Sequence, residues 1–315
     1  MLPLLRVGAG LRARGHSVSL LTHVAFRRPA EEAGLEFAAL DDEAQHARSV
    51  EDGPLVNTPP GVVEFLRRHY LPLVAGEYER IRERCRAADT IVVARDLFDI
   101  GARIAAEKLG VPLVWVFVAP GQLEGHGLRR ELFGRVLAGD VDRVRGELGL
   151  APVRDWDAWL SHPGRHVGLW PDWFAPPDPA WSADVVPAGF ILDNEGERGD
   201  LPEELRSALD SGERPVLITG GSGTFAGAAF YAAAVEACRR TRRPAVLVTP
   251  YDELVPPSLP DSIRRFPHLP LGKLLPRVEA VIHHGGRGTM SAALAAAVPQ
   301  VVLAWGADRP GNAMR

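Results

Sequence analysis

Residues 280–305 read AVIHHGGRGTMSAALAAAVPQVVLAW. The segment holds a β-branched apolar run, a glycine turn, an alanine-rich run and a second apolar run. This spacing predicts a strand, a helix over 287–297 and another strand. Strand–helix–strand units build parallel sheets covered by helices, so the fold class is α/β. The turn carries the chemistry. A helix N-terminus offers unpaired N–H groups and about half a positive charge, and glycines let an anion approach the backbone. Gly286, Gly288 and Thr289 stand where strand becomes helix, with Thr289 placed to cap it. His283 and His284 are adjacent at a strand end and therefore point to opposite sides. One can face a ligand while the other packs. A structural cap beside a buried histidine is the plainer alternative. Glycines, threonine and imidazole together favour a diphosphate ligand.

The same grammar extends outward. PVLITGGSGTF (215–225) reads as a strand running into a glycine loop, followed by a helix over 226–240. PAVLVTP (244–250) is a further strand. Ser222 and Thr224 in the loop can bond a phosphate. The loop is no P-loop, because no Lys-Ser or Lys-Thr pair follows, and it lacks the GxGxxG fingerprint. GADRPGNAMR (306–315) places Asp308 at the same strand edge, either to accept bonds from sugar hydroxyls or as a solvated turn residue.

In the first half, residues 2–13 have helical spacing, ended by Gly15, and SVSLLT (17–22) is a strand. TIVVA (90–94) and PLVWVFV (112–118) suit a sheet buried on both faces. The helix between them closes at Gly110. Residues 128–149 look helical, 151–189 irregular and rich in Trp and Pro, and 192–215 the best candidate linker. The expected division is a Rossmann-like domain over 1–195, a linker over 196–213 and a second such domain over 214–315.

The chain has 315 residues, 46% hydrophobic and 24% charged, with a net charge of −4. That charge disfavours a nucleic-acid binder. Apolar runs fall short of the ~20 residues of a membrane span. Cys85 and Cys238 match no metal spacing. The strings Asp140/Asp142 and Asp155/Asp157 follow no strand edge and read as solvated surface, so no metal is implied. Trp170, Trp173, Phe174 and Trp181 read as interdomain packing.

The segment 269–315, from LPLGKLLP to GNAMR, resembles the donor-binding half of the UDP-glycosyltransferase-like enzymes with the GT-B fold. VGLWPDWFAPPDPAWSADVVPAGFILD (167–193) is similar to the branch that includes rhamnosyltransferase B-chain-like and sterol-glucosyltransferase-like enzymes. The resemblance implies two Rossmann-like domains facing a cleft. It also implies transfer of a hexose, with inversion, from a UDP or dTDP sugar to an acceptor hydroxyl. The acceptor would be a small hydrophobic molecule, a secondary metabolite or a lipid, with peripheral membrane association in the last case. Two distant cysteines and the lack of a signal-peptide pattern point to a cytoplasmic location, and no cofactor is expected. By the same resemblance Ser222, His284, Gly286, Gly288 and Thr289 hold the diphosphate. His268 and Leu269 meet the nucleobase, and Asp308 and Arg309 meet the sugar.

The resemblance also brings departures. Arg309 stands where the family usually has Gln, and it loses an acceptor oxygen. Ala297 replaces a common glycine, expected as a small packing change. Full-length relatives begin with a strand ending in Gly-His or Gly-Asp, which supplies the catalytic base. That position would precede Met1, so the expectation is a chain lacking its first strand and its C-terminal helices. Asp96, ending the strand TIVVARD, would orient a histidine base, or else cap the helix over 97–109. Two readings stand at this point: an active glycosyltransferase, or a non-catalytic sugar-nucleotide-binding pseudoenzyme or fragment.

Overall fold

The computed structural model describes residues 2–86, 89–95, 99–161, 164–179, 181, 185–192, 199–221, 223, 226–306 and 308–315, the side chains of Leu2, Asn57 and His126 excepted. The chain divides into two compact units, Met1–Gly189 and Phe190–Arg315.

The second unit is one parallel sheet. Its strands are β7 (Val216–Thr219), β8 (Ala245–Val248), β9 (Ile263–Phe266), β10 (Ala280–His283) and β11 (Gln300–Val302), in the order β11-β10-β7-β8-β9. Every residue of β7 and β8 is buried. Successive side chains alternate between two faces. Leu217, Val246 and Val281 point into one apolar cluster with Leu205, Leu209 and Ala293. Val216, Ile218, Leu247 and Ile282 point into another, under Phe230 and Tyr231 of the helix Gly227–Thr241. A sheet covered on both faces explains why these strands read as continuous apolar runs.

The expected linker is partly core. Residues Glu203–Asp210 form a helix, and Leu201, Leu205 and Leu209 are buried in the second unit. Their four-residue spacing sets one helix face against the sheet, a pattern masked by the acidic residues between them. The exchange at Ala297 is also more than packing. Ala297 has φ 53 and closes the helix Arg287–Ala295 in the left-handed region. Its N–H donates to Leu294 O, and that of Val298 donates to Ala293 O. This is the helix terminus that glycine normally occupies, and a Cβ there is strained.

The strands of the first unit are β1 (Ser19–Thr22), β2 (Glu36–Ala39), β3 (Val92–Arg95), β4 (Leu113–Phe117), β5 (Arg165–Gly168) and β6 (Val185–Pro187). They form two separate parallel sheets, β1-β2 and β3-β4-β5-β6. Residues 151–189, expected to be irregular, therefore supply two strands. Trp170 is fully buried, donates from Nε1 to Ala175 O at 3.0 Å and stands edge-on to Trp181. Its hydrogen bond and its ring contact both lie within its own unit. The helical stretch after 126 is broken by a π-turn over Leu132–Val136. A cavity of about 790 Å³ is lined by residues of both β1 and β3, from Ser19 to His23 and from Ile91 to Arg95. Glu77 also lines it, and desolvation, with Asp99 nearby, pushes its carboxyl up to about 8. A Cβ on Gly101 would overlap this carboxylate, so a larger residue there would displace the Glu77 side chain.

Candidate functional site

Because the second sheet is wholly parallel, the residues following β7, β9, β10 and β11 all lie at its carboxyl edge, where open α/β sheets bind ligands. β7 and β10 are neighbours, with Thr219 opposite His283. Their two glycine turns meet through one ring. A Cβ on Gly221 would lie 2.6 Å from Cε1 of His284, and one on Gly286 would overlap its Nε2. The imidazole is thus held between the turns, and both glycines are needed to admit it. Gly221 and Gly285 also carry φ of 78° and 85°.

The two histidines diverge, with ring planes at 86°. His283 is fully buried. Its Nδ1 accepts from Gly285 N–H at 3.1 Å, so the proton sits on Nε2, which donates to Gln300 Oε1 at 2.9 Å. It pins the turn. His284 is partly exposed, yet its Nδ1 is buried with no hydrogen-bond partner among the described residues. Desolvation, then the charge of Arg309, pushes its pKa down to about 4. The ring is neutral at pH 7. It therefore offers a directional hydrogen bond and no positive charge.

Two arginines share with it the influence of Asp308. Arg287, the first residue of the following helix, is pushed down to about 10 by desolvation and remains charged at pH 7. Its Nη1 is buried without a hydrogen-bond partner among the described residues. Arg309 donates from Nη1 to Trp305 O at 2.6 Å. Arg287 was overlooked as a ligand candidate, although a basic residue directly after Gly-Gly at a helix start was visible in the sequence. Asn312 was overlooked too. It is buried, and its Nδ2 donates to Gly285 O at 3.2 Å and to Asp308 Oδ2 at 2.9 Å. It ties the 308–313 segment to the glycine turn and fixes the Asp308 carboxylate.

The helix cap differs from the expected one. Gly286 is the N-cap, extended at φ −67 and ψ 135, with no capping side chain. Thr289 is the third helical residue and buried, one turn past the cap position. The first N–H groups of this helix thus have no side chain of their own to satisfy them. Gly288 is exposed beside them. His268 follows β9 and is exposed, while Leu269 packs on the core cluster. They lie three strand spacings from β10, about 14 Å, and are not in the group around His284. Asp96 and Ser222 lie outside the described residues, as does Thr224.

The Asp-x-Asp strings serve the fold. Asp140 pairs with Arg67 at 3.0 Å, and Asp142 accepts from Val153 N–H at 2.9 Å. Asp155 caps the helix Trp156–Leu160, and Asp157 pairs with Arg130 at 3.3 Å. Among the described residues, no helix is long and apolar enough to cross a membrane.

Comparison with known proteins places this geometry. Residues 250–315 match the family model described as "Erythromycin biosynthesis protein CIII-like, C-terminal domain". The O-mycaminosyltylonolide 6-deoxyallosyltransferase of Streptomyces fradiae is 32% identical over 354 residues, which span 99% of this chain and 79% of that protein. Among solved structures, the glycosyltransferase SnogD from Streptomyces nogalater superposes with a TM-score of 0.70 at 24% identity, covering 98% of this chain and 79% of its own. The glycosyltransferase SsfS6 of Streptomyces sp. SF2575, complexed with thymidine diphosphate, gives a TM-score of 0.65 at 20% identity and covers 99% and 80%. The chain belongs to the GT-B glycosyltransferase family and is an enzyme of the transferase class.

Proposed function

We propose that the protein transfers a hexose from a dTDP or UDP sugar to a hydroxyl group of a secondary metabolite, with inversion at the anomeric carbon. One observation carries this reading: the neutral His284 imidazole, held between two glycine turns at an uncapped helix start, with a buried nitrogen left unpartnered. Such a site suits a diphosphate. The helix N–H groups and the imidazole would bond its oxygens, and Arg287 and Arg309 would offset its charge. Asp308, fixed by Asn312, would then adjoin the sugar hydroxyls. In the reaction a base takes the proton of the acceptor hydroxyl. The acceptor oxygen bonds to the anomeric carbon, and the diphosphate leaves with the electron pair of the broken bond. The cradle stabilises the charge growing on that leaving group. The thymidine diphosphate bound to SsfS6 and the deoxyhexosyl transfer named for the Streptomyces fradiae relative support a dTDP-deoxyhexose as first choice.

The test is a donor panel of dTDP- and UDP-hexoses against aromatic polyketide, macrolide and sterol acceptors, with proton NMR of the glycoside. An α-linked donor should give a β-linked product, and a nucleoside diphosphate should accumulate in equal amount. An α-linked product would contradict inversion. Tight donor binding without turnover on any acceptor would leave a sugar-nucleotide-binding protein in place of the enzyme.

A further inference from the structure

The carboxyl end of the β1-β2 pair, in the first unit, carries a further side-chain cluster. His23 follows β1, Asp41 follows β2, and His46 stands in the helix Glu43–Glu51. Nδ1 of His23 is 2.6 Å from Asp41 Oδ2, and Nδ1 of His46 is 3.8 Å from the same oxygen. One donor atom from each of the three lies within 4.8 Å of the others. The carboxylate is buried, and its Oδ1 accepts from Val24 N–H at 2.7 Å, which leaves Oδ2 to the two imidazoles. The rings stand 5.2 Å apart. Nδ1 of His46 is buried and has no hydrogen-bond partner among the described residues.

A histidine–aspartate pair alone gives no reason for the second imidazole or its unsatisfied nitrogen, since buried polar atoms are normally partnered. A shared cation gives one. Two imidazole nitrogens and one carboxylate oxygen suit zinc-class ions, whereas magnesium and calcium prefer oxygen alone. Around a tetrahedral centre with bonds of about 2.0–2.1 Å, donor atoms stand roughly 3.3 Å apart. That spacing falls between the two distances here, so closure needs small side-chain shifts in opposite senses. We infer that His23, Asp41 and His46 form a three-ligand site for a divalent ion of the zinc class, with a fourth position open to water. The histidine side chains are 21% and 25% exposed, which gives the ion a way in. The bound ion would join the chain after β1 to the chain after β2. The Val24 N–H bond orients the carboxylate in the manner usual for metal ligands.

Competition of Zn²⁺ between a chromophoric chelator and the purified chain tests this. The chain should take one equivalent. His46→Ala should bind about 100-fold more weakly or worse, since even the loss of a group behind a ligand costs 10- to 100-fold. The exposed His16→Ala should bind as the parent does. His46→Cys keeps a ligand, so Co²⁺ should give it a thiolate charge-transfer band in the near ultraviolet that the parent lacks. Absence of stoichiometric Zn²⁺ binding, equal affinity in parent and His46→Ala, or a missing thiolate band would overturn the site.

Discussion

The two units share an architecture and differ in its completion. In the second, five strands form one sheet, and β7 and β8 are buried at every residue. In the first, six strands form two sheets, β1 and β3 keep only partial burial, and a cavity of about 790 Å³ is lined by both. The polar groups follow the same division. Glu77 faces the first unit's cavity. Around the second unit's glycine turns His283 and Asn312 are hydrogen-bonded, whereas His284 Nδ1 and Arg287 Nη1 are buried with no hydrogen-bond partner among the described residues. The unpartnered nitrogens stand at the carboxyl edge of a sheet whose inner strands β7 and β8 are fully buried.

The comparison can be broken most sharply in the core. Leu217→Ala in β7 should cost about 2–5 kcal/mol by chemical denaturation, because its surroundings are fully packed. Leu20→Ala in β1, which is partly exposed, should cost under about 2 kcal/mol. Equal losses would remove the contrast. Amides of β1 should also exchange with solvent sooner than those of β7.

A second difference lies in pH. Glu77 has its folded pKa raised above the usual 4.5 to about 8. Between those values the unfolded chain has released a proton that the folded chain keeps, so stability falls as pH rises. The slope is at most about 1.4 kcal/mol per pH unit. Glu77→Gln should flatten this part of the stability profile, and an unchanged slope would place the carboxyl in water.

Smaller effects test the glycine turns. Gly221→Ala combines positive φ with a Cβ 2.6 Å from the His284 ring, so it should cost about 1–3 kcal/mol and weaken nucleotide binding. Ala297→Gly should do the reverse on a smaller scale. Relief of left-handed strain exceeds the added chain entropy by roughly 0.5–1 kcal/mol, readable as a higher Tm.

Strands buried on both faces, such as β7, β8 and β10, were legible because each begins with at least three consecutive apolar residues. The edge strands β9 and β6 were not. In β9 only Ile263 and Phe266 are buried, while Arg264 pairs with Glu213 and Arg265 with Asp252. Two apolar residues at the ends of four carry no period. β6 is likewise a short edge strand, and it ends on Pro187. The glycine turns and both histidines could be read from spacing, as could their opposite facing. The protonation of His284 could not, because it depends on burial in the fold and on the charge of Arg309, which is distant in the chain. Asn312 was hidden for a similar reason, since its partner Gly285 is distant in the chain.

Calorimetric titration of dTDP into the parent and His284→Ala reads the cradle without recourse to chemistry or acceptor. A hydrogen bond to a charged oxygen is worth about 1.5–3 kcal/mol, so the variant should bind about 10- to 100-fold more weakly with its fold intact. Equal affinity in the two proteins would show that the diphosphate does not rest against this imidazole.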